Sequence, residues 1–174
     1  MNRRRQRELF ECARSDDTIG VRRLIEQHLV DVNTTNISGH TPLYIACENG
    51  NLRVARHLLN NGARVCYGHT QPLIAAVSYN HYDCVKRLFE YHADANCTNL
   101  RGETPVSIAL RKHPGNIKLI LLLLQYDAIP SESFGDDIAV QLLTNAKAKL
   151  KNSPETHRWK LYQLDGAEHI SGGI

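Results

Sequence analysis

Apolar positions recur with helical spacing in four stretches of the chain that resemble one another. The stretch 42–59 aligns without gaps with 72–89, and 105–124 aligns with both once two residues are inserted near His113. A weaker copy covers residues 8–25. Because self-similarity at a fixed spacing is typical of repeat architectures, the pattern predicts four units, each made of two short helices.

The second copy shows why each unit should be a helix pair. Thr41 can cap a helix by accepting from an orphan backbone N–H, and Pro42 suits the first helical position. Gly50 can adopt the left-handed conformation that ends a helix. A second helix is predicted to begin near Asn51 and to stop at Gly62. Helices this short are marginal alone in water, so the units must stack on one another.

The segment GHTPLYIACENGNLRVARHLLNNGARV, residues 39–65, resembles an ankyrin repeat. The likeness consists of Gly-x-Thr-Pro-Leu, a pair of small residues, a glycine between the helices, a leucine pair and a final Gly-Ala. It implies an all-α solenoid of stacked helix pairs with β-hairpin fingers. It covers residues 7–129, with repeats at about 7–38, 39–68, 69–101 and 102–129.

The ends of the chain are assigned from charge and apolar spacing. Residues 1–6 form a basic N-terminal tail. Residues 130–152 are predicted to contain a capping helix, because 135–152 carries an apolar stripe, aspartates at its start and lysines at its end. Residues 153–174 have a weak pattern and are interpreted as a tail or a linker.

Two departures from the repeat pattern affect the predicted structure. Asn80 stands where Gly50 stands in the preceding repeat, and asparagine tolerates the left-handed conformation. The second finger is shorter than the others, since Cys66 precedes Pro72 by six residues where Asn33 precedes Pro42 by nine. The sequence therefore predicts a notch in the row of fingers.

Composition and charge indicate the compartment more than the function. There is no apolar signal region and no apolar run long enough to span a bilayer, and the five cysteines form no CxxC pair. We expect a reduced, cytoplasmic and possibly nuclear protein without membrane contact. The net charge of +3 is small, but arginines cluster at 3–7 and basic residues at 111–113. These clusters indicate either a solvated surface or, alternatively, an acidic partner or nuclear import.

Metal binding and catalysis find little support. His69, His81 and Cys84 suggest a zinc site, yet zinc needs four converging ligands, and Cys84 falls on an apolar repeat position. The chain lacks GxSxG, a phosphate-binding glycine loop and HExxH. We expect no enzymatic activity, no cofactor and no metal.

What remains is a binding surface. The ankyrin likeness implies that residues near the end of each first helix, together with the finger tips, face a concave groove. These partner-binding candidates are His40, Glu48, Asn49, Tyr67, His69, Ser78, Tyr79, Leu100, Arg101, Arg111 and Lys112. The same likeness implies that Asn33 and Asn96 stand at the finger position where ankyrin proteins can be hydroxylated.

Four functions stay open on these residues. The first is an adaptor, monomeric in isolation, that binds a partner protein, possibly through an acidic segment of that partner. The second is the substrate-recognition module of a ubiquitin ligase, since TPLYIAC and DCVKRLFEY resemble ankyrin proteins with a SOCS box. The third is an inhibitor of a Rel-type transcription factor, against which the basic patches count. The fourth is nucleic-acid binding, for which interleaved stacking aromatics are lacking.

Overall fold

The computed structural model describes residues 3–27, 29–67, 71–131 and 144. Within them the chain forms eight helices and no β-strand element. The helices occur as four consecutive pairs, and we call the first member of each pair the inner helix and the second the outer helix. They are α1 (Arg3–Arg14), α2 (Thr18–Glu26), α3 (Pro42–Glu48), α4 (Leu52–Asn60), α5 (Pro72–Ser78), α6 (Tyr82–Glu90), α7 (Pro105–Lys112) and α8 (Ile117–Gln125).

The inner helices begin as the Thr-Pro pattern predicts. The Thr41 hydroxyl accepts from the backbone N–H of Tyr44 at 3.2 Å, and Thr104 accepts from Ser107 at 3.5 Å. Proline occupies the first turn of α3, α5 and α7. Gln71 precedes α5 at the same position but makes no capping hydrogen bond with its side chain. The third repeat therefore has the weakest inner-helix start of these three.

Left-handed residues separate the inner and outer helices of the second and third pairs, also as predicted. Gly50 has a φ of +73° and Asn80 a φ of +64°. A Cβ atom at Gly50 would lie 2.5 Å from Nδ1 of His81, so the glycine also makes room for that ring. The His81 ring in turn lies with Nε2 3.0 Å from the carbonyl oxygen of Glu48.

That histidine contact belongs to a series that links each repeat to the next. In each case a side chain between the inner and outer helices of one repeat donates to carbonyl groups at the end of the inner helix of the preceding repeat, where helical partners are missing. The bonds run from Asn51 to Ala13 and Arg14, from His81 to Glu48, and from His113 to Ser78. They fix the register in which the repeats stack.

Small side chains allow the inner helices to pack closely. The alanines at equivalent positions of the second, third and fourth inner helices, Ala46, Ala76 and Ala109, are fully buried, and the equivalent residue of α1, Cys12, is buried too. The outer helices contribute larger buried apolar side chains, such as the pairs Leu58–Leu59 and Leu88–Phe89. Inner helices contact one another more extensively than outer helices do, so the inner helices lie on the inside of the curve of the stack.

The first and third fingers share one turn. Asn36 and Asn99 each begin it, and their side-chain oxygens accept from the backbone N–H groups two and four residues later. Gly39 and Gly102 end it with positive φ angles. The residue after each asparagine, Ile37 or Leu100, is thereby placed at the exposed tip.

Some predicted segments differ from the structure or lie outside its described residues. Helix α1 begins at Arg3, so part of the segment interpreted as a basic tail is helical. The predicted capping segment, 130–152, lies outside the described residues apart from Pro130, Ser131 and Thr144, and the 153–174 tail lies wholly outside them. Residues 68–70 of the second finger are also outside, so the notch stays a prediction. None of the described helices is long and apolar enough to span a membrane.

Candidate partner-binding surface

A line of aromatic side chains crosses the inner helices. The rings of His40 and Tyr44 stack with their centroids 4.0 Å apart. His40 precedes α3, and Tyr44 lies four residues later in the first turn of that helix. The pKa of Tyr44 is raised by burial, and also by the nearby Glu48 and Tyr79. Tyr79 ends α5, and the Lys112 ammonium lies 5.6 Å from its ring centroid. We call His40, Tyr44, Tyr79 and Lys112 the inner strip.

A pocket of about 240 Å³ opens at the finger end of this strip. His40 and Tyr44 form one wall, and Leu100 and Arg101 of the third finger are also among its lining residues. Ile74 of α5 contributes an apolar surface, and Gln71 and Asn99 also line the pocket. The pocket therefore combines aromatic and aliphatic surface with one guanidinium group.

The third finger is tied to α7 by a single carboxylate. Glu103 accepts from Asn99 Nδ2 at 2.8 Å and from Arg111 Nη2 at 2.7 Å. The Asn99 hydrogen bond lowers the pKa of Glu103, and the positive charge of Arg111 lowers it further. Arg111 was predicted to bind carboxylates of a partner, but its guanidinium already pairs with Glu103. This ion pair holds the finger against α7, and binding of a partner by Arg111 stays a prediction.

The remaining predicted residues are used in several ways. Asn49 turns its side-chain amide back onto the carbonyl of Ile45, at 2.8 Å, and so caps its own helix. Ser78 offers its backbone carbonyl to His113, as described above. Tyr67 lies in the second finger with the Arg64 guanidinium 5.5 Å from its ring centroid, and it does not line the pocket. His69 lies outside the described residues.

The two finger asparagines link neighbouring repeats. Asn33 donates to the Gly62 carbonyl at 3.1 Å and accepts from the Arg64 N–H at 2.8 Å. Asn96 makes the equivalent pair of bonds to Asp127 and Ile129. These amides therefore hold successive repeats together. Their hydroxylation stays a prediction.

The residues considered for a metal site have other uses. His81 caps α3 through Glu48, and the buried thiol of Cys84 lies beside that of Cys47. Hydrogen bonding to Cys84 and burial raise the pKa of Cys47. Burial and the carboxylate of Asp17 raise the pKa of Cys12 to about 11. Among the described residues no three histidine, cysteine, aspartate or glutamate side chains are grouped so as to hold a metal ion.

Sequence reasoning missed four residues that line the pocket: Tyr44, Gln71, Ile74 and Asn99. A signal existed for Tyr44, since a large aromatic residue four positions after His40 in a helix of mostly small side chains indicates a ring pair. Ile74 falls on an apolar helix position, which predicts a buried core residue rather than a pocket residue. Its contribution to the pocket depends on how the fingers lie over α5.

The fold and this surface define a class of protein, namely a solenoid of stacked helix pairs. Its inner side carries fingers and exposed apolar and aromatic side chains. The chain matches the family described as ankyrin repeats (three copies) over residues 9–99 and 66–134. It therefore belongs to the ankyrin-repeat family, whose repeats generally mediate protein–protein interactions and are typically not enzymes.

Individual relatives agree with this assignment. The chain is 34% identical over 125 residues to the ankyrin repeat protein FPV014 of fowlpox virus (strain NVSL), an alignment covering 70% of this chain and 28% of that protein. It is 38% identical over 93 residues to ankyrin repeat and SOCS box protein 5 of Bos taurus, covering 52% and 27%. It is 31% identical over 81 residues to the serine/threonine-protein kinase TNNI3K of Mus musculus, covering 47% and 10%. The chain thus spans less than a third of the length of these relatives.

Proposed function

We propose that the chain is a non-enzymatic adaptor of the cytoplasm or nucleus that binds a partner protein through its inner strip and finger tips. The observation that carries the proposal is the exposure of apolar and aromatic side chains along this side. Leu100 is 90% exposed and Tyr79 is 56% exposed, and Ile37 is fully exposed at the first finger tip. Residues of this kind, ringed by polar groups, are typical anchors of protein interfaces.

The electrostatics of the strip support a partner with acidic groups. Lys112 lies over Tyr79, and Arg101 forms no ion pair with any residue that the structure describes. Positive groups on a concave surface steer acidic partners and fix their orientation. The same charges count against an inhibitor of a transcription factor whose own binding surface is basic.

A second candidate function follows from one comparison. The bovine relative carries ankyrin repeats and, by its name, a SOCS box. By analogy the repeats of this chain would recognise the substrate of a ubiquitin ligase. In that case a proteasome inhibitor should increase the amount of a bound partner in cells, whereas a simple adaptor should leave that amount unchanged.

Recovery of partners from cells tests the proposed surface. The chain is expressed with an affinity tag, and co-purifying proteins are quantified by mass spectrometry for the wild type and a Tyr79→Ala, Lys112→Glu double variant. Arg111 stays in place because it holds the third finger. We expect the double variant to lose the main partner while its thermal unfolding stays close to that of the wild type.

The outer helices offer a matched control. Lys118 lies 4.2 Å from the ring centroid of Tyr82, so Tyr82→Ala with Lys118→Glu removes the same kind of pair from α6 and α8. This control variant should keep the partner. Equal recovery by the wild type and the inner-strip variant would disprove the proposal, as would equal loss in both double variants.

A further inference from the structure

The pocket between the first and third fingers has the size of a site for one side chain. Its volume is about 240 Å³. The stacked rings of His40 and Tyr44 and the side chains of Ile74 and Leu100 offer it apolar surface. Water in such a place is readily displaced by an apolar group, because few polar partners hold it.

The groups around the pocket have an excess of positive charge. Arg101 lines it and has no ion pair within the part of the chain that the structure describes. The neighbouring Glu103 and Arg111 neutralise each other at 2.7 Å. Lys112 of the inner strip carries a positive charge, and Glu48, which lies near Tyr44, carries a negative charge. A ligand that fills the pocket therefore meets an unpaired guanidinium beside an apolar surface.

The wall that carries this guanidinium is held in position before any ligand binds. Asn99 accepts from the backbone N–H groups of Arg101 and Glu103 at 2.9 and 3.0 Å, and Glu103 ties the finger to α7. Leu100 and Arg101 thus lie on a turn of fixed geometry. Binding against a preorganised wall loses less conformational entropy than binding against a loop that must first become ordered.

We propose that this pocket receives one large apolar side chain from an extended acidic segment of a partner protein, and that a carboxylate beside that side chain binds Arg101. The inference rests on the proposed function and specifies the kind of partner. Guanidinium and carboxylate form paired charge-assisted hydrogen bonds, which would fix the segment's position over the pocket. The apolar side chain supplies the buried surface, and the carboxylate supplies specificity.

Selection from a displayed library of random dodecapeptides tests the proposal with a defined probe. We expect the enriched peptides to share a leucine or aromatic residue with an aspartate or glutamate close to it. One enriched peptide is then synthesised with a fluorophore, and its affinity is measured by fluorescence polarisation. Replacing its shared apolar residue by serine should weaken binding about tenfold or more, the cost of losing one buried side chain.

Two pairs of variants locate the binding site. Leu100→Ser should weaken peptide binding about tenfold, while Ile19→Ser, at an exposed position of the outer helix α2, should leave it unchanged. Arg101→Glu should abolish binding by reversing the charge. Arg56→Glu makes the same charge change on the exposed side of α4 and should have no comparable effect.

Several outcomes would overturn the proposal. They are a failure to enrich any peptide, enrichment of peptides without acidic residues, equal weakening by Leu100→Ser and Ile19→Ser, and binding of oligo(dT) in competition with the peptide. The proposed function is tested separately by the Tyr79 and Lys112 variant in cells. If partner recovery depends on that variant while the peptide experiments fail, the inner strip binds the partner and the pocket inference is wrong.

Discussion

Replacing Gly50 by alanine tests whether the stack is held together as the structure indicates. The residue has a φ of +73°, and an added Cβ would lie 2.5 Å from Nδ1 and 2.7 Å from Cε1 of His81. Two costs therefore add. The left-handed conformation costs an alanine about 1–2 kcal/mol. Displacing the ring also breaks the bond from His81 to the Glu48 carbonyl, a net loss of about 0.5–1.5 kcal/mol.

Gly62 separates these two costs. Its φ is +84°, but nothing lies within 4 Å of an added Cβ, so Gly62→Ala has only the conformational cost. Gly50→Ala should therefore lower the free energy of unfolding by about 1 kcal/mol more than Gly62→Ala. In a His81→Ala background the cost of Gly50→Ala should fall to that of Gly62→Ala, since the ring is gone.

Equilibrium urea unfolding followed by circular dichroism gives these free energies. The comparison requires that the slope of the unfolding free energy against urea concentration is the same for all variants. An equal cost for the two glycine variants would refute the account of the His81 contact. So would an unchanged cost of Gly50→Ala when His81 is alanine, because the two residues would then act independently.

Three further predictions follow from single residues. Glu103 has a lowered pKa in the folded chain, so its contribution to stability is present above its ordinary pKa of 4.5 and is lost as the pH falls through the lower folded value. The stability difference between the wild type and Glu103→Gln, from urea unfolding, should therefore be largest near neutral pH and disappear in acid; a constant difference would contradict this. Cys66 is the one exposed thiol of the five cysteines, so mass spectrometry after brief iodoacetamide treatment of the native chain should find it alkylated first. Earlier modification of Cys47 would contradict the burial of that thiol between the helices. Gln71→Thr should stabilise the chain by about 1 kcal/mol, because it restores the cap that Thr41 provides in the preceding repeat; a lower thermal midpoint would contradict this.

The helix pairs could be predicted because their signals are local. Thr41, Pro42 and Gly50 act on the backbone within one or two turns of their own position, and the structure confirms all three. The same holds for Asn80, whose tolerance of positive φ replaces a glycine. The start of α1 was placed too late, because the cluster of arginines at 3–7 indicated a solvated tail, whereas helical hydrogen bonding extends through it.

The details of the candidate site depend on contacts between repeats, which a single repeat's sequence does not contain. Arg111 looked available because its partner, Glu103, approaches it only once the finger folds over α7. His81 suggested a metal ligand because its actual acceptor, the Glu48 carbonyl, is far away in the sequence. Tyr44 joins Ile74 and Leu100 in one pocket only through the stacking of two repeats.

The central claim is that the inner strip and the first and third fingers bind the partner protein. Nuclear magnetic resonance of the nitrogen-labelled chain tests it directly, by comparing backbone amide shifts before and after adding the partner recovered from cells. The account predicts the largest changes at His40, Tyr44, Tyr79, Leu100 and Arg101. Changes confined to the outer helices α4 and α6, with these five amides unmoved, would contradict it.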